Sequence, residues 1–476
     1  MPGDSVLVAL CVLVPCLGAF LLPLAGAASE RTRNVAALSM VAFSFACAVA
    51  LLPGAWAGRT ADVSLAGLTA LHADRLAVLM ALVSSGVGAI IVFYSWGYVA
   101  RYPSRNEYYL MVVLFLGAMM GLVFSRHLLV LYSFWEVTAI ACWRLIGFFR
   151  DPLCVRRADK AFLVTVFGAV TMMLGFLSVY LDSGTFDLGA LTGRPVSNLA
   201  TALVLVGILS KSATLPLHTW LPDAGVAPSP VTALLHAAVL VKIGVYVFAR
   251  LFLATFTLEA VWHQVVPWIA AASALVSAGA ALVETDMKRI IAYSTVSQLA
   301  FILLGLSAGG ELAAGGGLLY IVMHSIAKGG LFLCAGVVEH ETHCKDITRL
   351  GGLIRTMPVT AVCFAACALS VMGIPPFGGF FAKVLVITGA FGSGHAALAL
   401  TFVLGSFLTI LYLLRIFAAI FLGDPRGEVH AAHEGTRGMV ASVALLAVLA
   451  LASGLFVKYP TELARSTVEQ MTGEAP

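Results

Sequence analysis

The sequence predicts an all-α polytopic membrane protein with about fourteen transmembrane helices, two of which are broken. Of the 476 residues, 61% are hydrophobic and only 11% are charged, whereas a soluble domain usually carries about 25% charged residues. Apolar stretches of roughly 17 to 25 residues recur along the chain, and each is long enough to cross the hydrocarbon core of a bilayer. Such a chain cannot cover a soluble surface with polar groups. Soluble enzymes, disulfide-stapled secreted domains and disordered scaffolds are therefore excluded.

Charged or turn-rich gaps divide the chain into the predicted spans. We interpret the first apolar run as a retained helix, because no basic segment precedes it. In order, the spans are 5–27, 35–53, 75–97, 108–124, 127–149, 160–181, 198–221, 230–253, 262–283, 290–308, 313–338, 358–391, 396–421 and 438–457.

The seventh and twelfth spans are interrupted by residues that break helices. In the seventh, Lys211 is followed by Pro216; in the twelfth, Lys383 follows the segment 373–379, which holds three glycines and two prolines. Proline removes a backbone donor and glycine loosens a helix. Broken backbone at membrane depth is tolerated only inside protein or beside water. Two interrupted spans, five helices apart and each with one lysine, suggest two five-helix structural repeats.

The distribution of lysine and arginine predicts the orientation. Loops after odd-numbered spans hold fifteen of the 28 basic residues, and loops on the other side hold seven. Because cytoplasmic loops carry the excess of positive charge, both termini are predicted to lie outside a bacterial or archaeal cytoplasmic (inner) membrane. The net charge of +4 provides no basic patch dense enough to bind nucleic acid.

The remaining six basic residues fall within predicted spans and are candidates for function. A lysine or arginine at a helix centre costs about 2.5–3.5 kcal/mol on insertion scales, so such residues usually face protein or water and mark ion paths. The alternative is a packing ion pair or a side chain that reaches the interface, which we favour for Arg415. These basic residues, and the acidic and histidine residues that accompany them, are Arg144, Lys211, Lys242, Lys328, Lys383 and Arg415, with Glu136, His218, His236 and His324.

A buried lysine near a glutamate can form a switchable proton site. Burial favours the neutral lysine and a nearby carboxylate favours the charged one. Arginine stays protonated and serves better as a fixed charge, whereas histidine titrates near neutral pH and can relay protons. His324 and Lys328 are four residues apart and share a helix face. His236 and Lys242 are six apart, so we expect Lys242 to point to a different neighbour.

Several motifs together resemble the antiporter-like subunits of respiratory complex I and its relatives. This family includes the complex I subunits, the Mrp-type cation/proton antiporter subunits and the membrane arms of energy-converting hydrogenases. The longest motif runs over 211–224 (KSATLPLHTWLPDA) and continues through 227–238 to Lys242. Further matches are Phe134-Trp135-Glu136, 286–294 (DMKRIIAYS), 324–336 and 373–383.

The resemblance implies a fourteen-helix core with two inverted five-helix repeats and broken helices 7 and 12. Helices 1–3 would occupy residues 1–105, the first repeat 106–254, the second repeat 255–421, and helix 14 with the tail 422–476.

The resemblance also implies a proton pathway in which Glu136 pairs with Lys211. Some complex I members have glutamate at the position of Lys383, and Arg144 has no counterpart in the family pattern. The implied pathway consists of Glu136, Lys211, His218, His236, Lys242, His324, Lys328 and Lys383.

The function implied by the resemblance is that of a proton-translocating subunit of a multisubunit membrane redox complex, similar to complex I or an energy-converting hydrogenase. The sequence contains no nucleotide, flavin, iron–sulfur or quinone motif. We therefore expect no cofactor in this chain, and expect iron–sulfur clusters, quinone or a hydrogenase metal centre only in partner subunits. Expected partners are other antiporter-like and small membrane subunits, a peripheral redox arm and the lipid bilayer, with protons, or alternatively sodium, as the transported ion. Two alternatives stay open: a non-conducting membrane scaffold and one subunit of an Mrp-type Na+/H+ antiporter.

Overall fold

Helices make up most of the chain in the computed structural model, which describes residues 2–65, 67–426 and 432–473. A two-stranded antiparallel hairpin, β1 (Ala61–Leu65) and β2 (Leu68–Ala73), joins the third and fourth helices. The α-helices of the described residues are α1 (Pro2–Gly18), α2 (Leu22–Ala28), α3 (Glu30–Trp56), α4 (Arg75–Tyr98), α5 (Arg105–Phe124), α6 (Leu128–Ile146), α7 (Pro152–Ser183), α8 (Leu188–Leu191), α9 (Asn198–Lys211), α10 (Trp220–Asp223), α11 (Ser229–Ala233), α12 (Leu240–Phe248), α13 (Trp262–Val283), α14 (Met287–Ser307), α15 (Glu311–Thr342), α16 (Pro358–Met372), α17 (Gly378–Gly392), α18 (Ala396–Phe421), α19 (Arg437–Leu455) and α20 (Lys458–Thr472).

Twelve helical segments of the described residues are long and apolar enough to cross a membrane. Each overlaps one predicted span, and α13 and α18 have the predicted bounds. The seventh and twelfth predicted spans fall on shorter apolar helices, namely α9 and the pair α16 and α17. The prediction of an all-α polytopic fold is confirmed. The count of fourteen crossings, the inverted repeats and the segment boundaries stay predictions.

Helix starts are set by capping residues in the loops. Asp151 accepts hydrogen bonds from the backbone N–H groups of Leu153 and Cys154, both at 3.0 Å, and Pro152 is the first residue of α7. Asp286 caps α14 in the same way. These carboxylates satisfy backbone donors that have no partner within the helix, so polar residues fix where each apolar run becomes helical.

The first predicted helix break follows α9. The described chain runs irregularly after Lys211, with Ala213 at φ +49°, and becomes helical again at Trp220. Pro216 lies within this segment and cannot donate a backbone hydrogen bond. The helix therefore ends beside the lysine that the sequence singled out.

The second predicted break separates α16 from α17. Gly373 has φ +84°, a left-handed conformation that glycine adopts without a Cβ clash, and Pro375 follows. The two half-helices then approach closely, because a Cβ on Gly379 would lie 1.9 Å from the carbonyl oxygen of Ser370. The small residues of this motif therefore both end one helix and allow the next to pack against it.

Three helical segments form the buried centre of the molecule. The most apolar 18-residue stretch of the segment Ser229–Leu253 is completely buried. In the corresponding stretches of Met287–Ser307 and Glu311–Thr342, 94% and 89% are buried. In the peripheral helix Pro152–Ser183, only 39% of the most apolar 18-residue stretch is buried, and Leu181 is exposed. An apolar outer surface suits lipid, whereas polar groups at membrane depth must be satisfied inside the protein. Charged residues on the central segments are therefore shielded from lipid by other helices.

Candidate functional site

The predicted site residues divide into a buried group and a partly exposed pair, Glu136 and His218. Ionisable side chains removed from water need hydrogen bonds or charge partners, so the neighbours of each decide what it can do. Six residues, each at most 4% exposed, form what we call the buried row: Lys211, His236, Lys242, His324, Lys328 and Lys383.

Lys242 and His324 meet within the buried row. The Nζ atom of Lys242 lies 2.5 Å from Nδ1 of His324, across 82 positions of sequence. Two positive charges at this distance would repel strongly, so the pair of amine and imidazole carries at most one positive charge. Nε2 of His324 has no hydrogen-bond partner among the described residues. The pair can therefore take up a proton at one atom and release it at another.

A π-helical turn at Leu234–Ala238 directs two side chains of the buried row to the same neighbouring helix. The ring of His236, within this turn, lies against that of Phe332 on α15, with ring centroids 4.5 Å apart and the planes tilted by 35°. Lys242 also contacts α15, at His324 and not at Phe332, so the two side chains reach different residues of the same helix. A π turn holds more residues than an α turn, and Val239 after it has φ −125° and ψ −76°. The α-helical spacing rule therefore does not apply across this segment.

Lys328 begins a chain of polar contacts that sequence reasoning missed. Its Nζ atom donates to the carbonyl oxygen of Ile291 (3.1 Å) and to the hydroxyl of Ser294 (2.6 Å). The Ser294 hydroxyl contacts that of Tyr412 (2.8 Å), and the Gln298 amide donates to Tyr412 as well (3.3 Å). Ser294 and Gln298 are four residues apart on α14, which puts them on one face. This spacing was visible in the sequence, but it does not indicate which neighbour that face meets.

Lys383 lies at the other end of these polar contacts. Tyr320 donates its hydroxyl to Oε1 of Gln298 (2.5 Å), and its ring centroid lies 5.9 Å from Nζ of Lys383. The ring centroid of Phe301 is closer, at 4.6 Å. Among the described residues, Lys383 Nζ has no hydrogen-bond partner. The two aromatic faces attract the ammonium group and hold it in place without competing for its protons.

Lys211 is the last residue of α9, at the first helix break. Its Nζ atom donates to the carbonyl oxygen of Trp135 (3.1 Å) and lies 5.0 Å from the ring centroid of the same residue. Within the described chain, the neighbouring Glu136 makes no ion pair with Lys211, and its Oε1 atom has no hydrogen-bond partner. Lys211 thus contacts Trp135 directly, and not the carboxylate with which the family resemblance pairs it.

The end of α9, which carries Lys211, packs closely against α12, which carries Lys242. A Cβ on Gly244 of α12 would lie 2.7 Å from the carbonyl oxygen of Ile208 on α9. Gly244 follows Lys242 by two residues, so the contact brings the end of α9 with Lys211 towards the centre of the buried row. His218 lies in the irregular segment after the break, and its Nδ1 has no hydrogen-bond partner among the described residues.

Two basic residues within predicted spans lie outside the buried row. Arg144, in the last turn of α6, pairs with Glu107, and its side chain is 38% exposed. Arg415 donates to the carbonyl oxygens of Leu282 (2.7 Å) and Glu284 (2.9 Å), at the end of α13. Cations near a helix C-terminus satisfy its unpaired carbonyl groups. These contacts support the packing interpretation of Arg415.

Two buried ion pairs also escaped sequence reasoning, because their basic members were counted with the loops. Lys288 is fully buried and pairs with Glu339 at 3.0 Å. Arg250 donates to both carboxylate oxygens of Asp74, at 2.5 and 2.8 Å. The partners are 51 and 176 positions apart, so no local spacing signals either pair.

Asp223 joins two helices on the side that is predicted to be cytoplasmic. Its carboxylate accepts hydrogen bonds from Lys160 of α7 (2.7 Å) and Arg289 of α14 (2.6 Å). Burial by itself raises the pKa of Asp223, but the two hydrogen bonds outweigh burial, and the net effect is a pKa below the usual value of 3.8.

We expect this carboxylate to stabilise the fold above its unfolded-state pKa, and the stabilisation to be lost as pH falls through the lowered pKa. Both ion pairs are partly exposed, so the effect is at most about 1 kcal/mol. Thermal unfolding of the detergent-solubilised protein at a series of pH values checks this. Asp223→Asn should have a lower Tm than the parent at neutral pH. On acidification, its Tm should fall less than that of the parent. Parallel Tm curves for the two proteins would contradict the role of Asp223.

Two family models match parts of the chain. Residues 125–409 match a family model described as "NADH:quinone oxidoreductase/Mrp antiporter, TM". Residues 64–109 match one described as "NADH-Ubiquinone oxidoreductase (complex I), chain 5 N-terminus". The first match includes all eight predicted pathway residues.

Curated relatives are sodium/proton antiporter subunits. An Na(+)/H(+) antiporter subunit from Staphylococcus haemolyticus is 34% identical over 84% of this chain and 54% of its own length. An Na(+)/H(+) antiporter subunit from Alkalihalophilus pseudofirmus is 36% identical over 83% of this chain and 53% of its own. The chain thus spans about half the length of the curated relatives it matches.

Two solved structures share the fold over nearly the whole chain. A chain of the Mrp complex from Dietzia sp. DQ12-45-1b superposes with a TM-score of 0.90 at 25% identity, covering 99% of this chain and 98% of that chain. A chain of the membrane-bound sulfane sulfur reductase, an archaeal respiratory membrane complex, superposes with a TM-score of 0.88 at 21% identity, covering 98% and 97%. The second likeness is one of fold alone.

Proposed function

Since the chain belongs to the NADH:quinone oxidoreductase/Mrp antiporter family, we propose that it translocates protons along the buried row as one subunit of a multisubunit membrane complex. The family resemblance based on the motif at 211–224 is confirmed by this membership. The pathway residues, the partners and the transported ion belong to the proposal.

The contact between Lys242 and His324 is the main support for this function. It places two titratable groups at 2.5 Å within a fully buried region. A proton would pass between Lys211 and this pair, continue to Lys328, and reach Lys383 by way of the polar contacts on α14. Because like charges in a row make it costly to protonate every site at once, protons should move in turn. Glu136 and His218 would exchange protons at the edge of the row.

Two kinds of complex are compatible with this function. In a redox complex, a peripheral arm with iron–sulfur clusters, quinone or a hydrogenase metal centre would lie in partner subunits. The second candidate is an Mrp-type Na+/H+ antiporter. It is supported by the identity of 34–36% with sodium/proton antiporter subunits. A non-conducting scaffold is the weakest interpretation, since four buried lysines cost several kcal/mol each to insert on the usual scales and a scaffold has no use for them.

The proposed location is a bacterial or archaeal cytoplasmic membrane, with both termini outside. The excess of basic residues in the odd-numbered loops supports this orientation.

Purification of the affinity-tagged chain from its native membrane tests the proposal and separates the two kinds of complex. We expect co-purification either with redox subunits or with small antiporter subunits, and proton movement by the intact complex in proteoliposomes. The chain alone should show little transport, since it has no visible source of energy. Rapid exchange of sodium for protons by the isolated chain would contradict the proposal that it works as part of a complex.

A further inference from the structure

A second group of buried charges lies outside the predicted pathway, near the C-terminal end of α15. The carboxylate of Glu339 accepts a hydrogen bond from Lys288 through Oε2 (3.0 Å) and pairs with Lys345 through Oε1 (2.9 Å). The Lys288 side chain is fully buried, whereas that of Lys345 is 35% exposed. One carboxylate thus connects a cation that is closed off from water with a cation that reaches it. We call these three residues the Glu339 cluster.

The Glu339 cluster is held by several helices at once. Ser229 donates to Oε2 of Glu339 (2.7 Å), and Tyr98 lies 3.5 Å from the same atom. Lys288 also donates to the carbonyl oxygen of Ala227 (2.7 Å). Besides the two lysines, the titratable groups that face Glu339 are Tyr94, Tyr98 and Tyr102. Asp286 faces both lysines, Cys154 faces Lys345, and His340 lies against Tyr98.

Each helix of the cluster continues to the buried row. Ser229 begins the helical segment that carries His236 and Lys242, and Lys288 lies in the first turn of α14, whose later residues bind Lys328. Glu339 follows Lys328 by eleven residues on α15, which is about three turns and roughly 16 Å, on the same helix face. Three helical segments therefore contribute side chains both to the cluster and to the buried row or its contacts.

We propose that the Glu339 cluster is the site at which protons are loaded into the buried row from the side that is predicted to be cytoplasmic. This inference rests on the proposed function. When Lys345 moves away into solvent, a proton from water binds Oε1 of Glu339. Lys288 then gives a proton to the row and regains one from Glu339, whose carboxylate becomes free to pair with Lys345 again. One proton enters and one moves inward, so charge and atoms balance.

The Glu339 carboxylate holds one fully buried lysine and one partly exposed lysine, whereas both cations on the structural carboxylate of Asp223 are partly exposed. The structural pair of Arg250 and Asp74 has one cation and one anion, with both side chains largely enclosed. Glu339 instead has a separate oxygen for each lysine. It can therefore lose its outer partner without leaving Lys288 unpaired.

The test is proton translocation by the intact complex, with the pH varied on the loading side. We expect Glu339→Gln to slow transport at neutral pH and to make the rate rise about tenfold per unit of added acidity, because proton uptake then becomes limiting. The parent should change little over the same range. Glu284→Gln is the matched control, since Glu284 lies on the same side and pairs with Arg289 beside Lys288; it should behave like the parent.

Several outcomes would overturn the loading site. A parent-like rate and pH profile in Glu339→Gln would do so, and so would a loss by the same factor at every pH, which indicates a structural role. If Glu339→Gln does not assemble, Lys345→Met decides, because its partly exposed side chain can be replaced without emptying the core. The inference requires slow transport in that variant that acid does not restore, because Lys345 is then missing as the cation that stabilises the Glu339 carboxylate once its proton has passed to Lys288. Parent-like transport would refute it.

A variant of the buried row separates this inference from the proposed function. If Lys242→Met stops transport while Glu339→Gln and Lys345→Met do not affect it, only the loading site is wrong. If Lys242→Met transports like the parent, the proposed function is wrong as well.

Discussion

Replacing Lys242 with methionine is expected to reduce proton translocation by the intact complex by about 100-fold or more, the usual effect of removing a group that transfers protons. Methionine has a similar length and an apolar side chain, so it fills the same space without the amine. Its removal leaves Nδ1 of His324 without the partner that lies at 2.5 Å. The measurement is acidification driven by the complex in proteoliposomes, with assembly checked by subunit content.

Arg415→Gln provides the control for Lys242→Met. Arg415 is also a cation within a predicted span, but it contacts only backbone carbonyls at the end of α13 among the described residues. This variant should keep its transport, even if its Tm falls. Equal loss of transport in the two variants would show that any intramembrane cation matters and that Lys242 has no special role.

Replacing Lys383 with arginine is expected to abolish translocation with the complex still assembled. Arginine keeps the positive charge and can still lie over the faces of Phe301 and Tyr320. It cannot release its proton at any physiological pH. The substitution therefore preserves the packing and the charge while it removes proton exchange.

An acidic substitution at Lys383 tests whether the position needs a group that can exchange a proton. Lys383→Glu should keep part of the activity, because the family resemblance implies that an acidic group is admissible at this position. Initial rates of proton movement for the two variants and the parent, at matched subunit content, provide the measurement. If Lys383→Arg pumped like the parent, Lys383 would be a fixed charge and not a proton carrier.

The features of the fold that the sequence predicted correctly are those with local signals. Apolar runs bounded by charged residues gave the bounds of α13 and α18, because a membrane span must begin and end where polar residues can reach the interface. The breaks beside Lys211 and before Lys383 were visible as proline and glycine, whose effects on the backbone act within a few residues.

The contacts within the site could not be predicted from local signals, because they join residues that are far apart in the sequence. Lys242 and His324 are 82 positions apart, and only the packing of two helices brings them together. The π turn before Lys242 has no sequence signature in this chain, so α-helical periodicity could not show that His236 and Lys242 both reach α15. Lys288 was counted as a loop residue because the tenth span was predicted to begin at residue 290, whereas Asp286 caps a helix that begins at Met287. Charge counting cannot tell which of two adjacent cations turns inward.

The contact of His236 with Phe332 has a consequence for the electrical behaviour of the membrane if the buried row carries protons as proposed. An unbroken chain of hydrogen bonds would let protons leak down their gradient and would dissipate the membrane potential. Here, among the described residues, neither ring nitrogen of His236 has a hydrogen-bond partner, and its ring centroid lies 4.5 Å from that of Phe332. In the proposed pathway, a proton would cross this level when the imidazole turns or water enters, which would keep leakage low while the complex is idle.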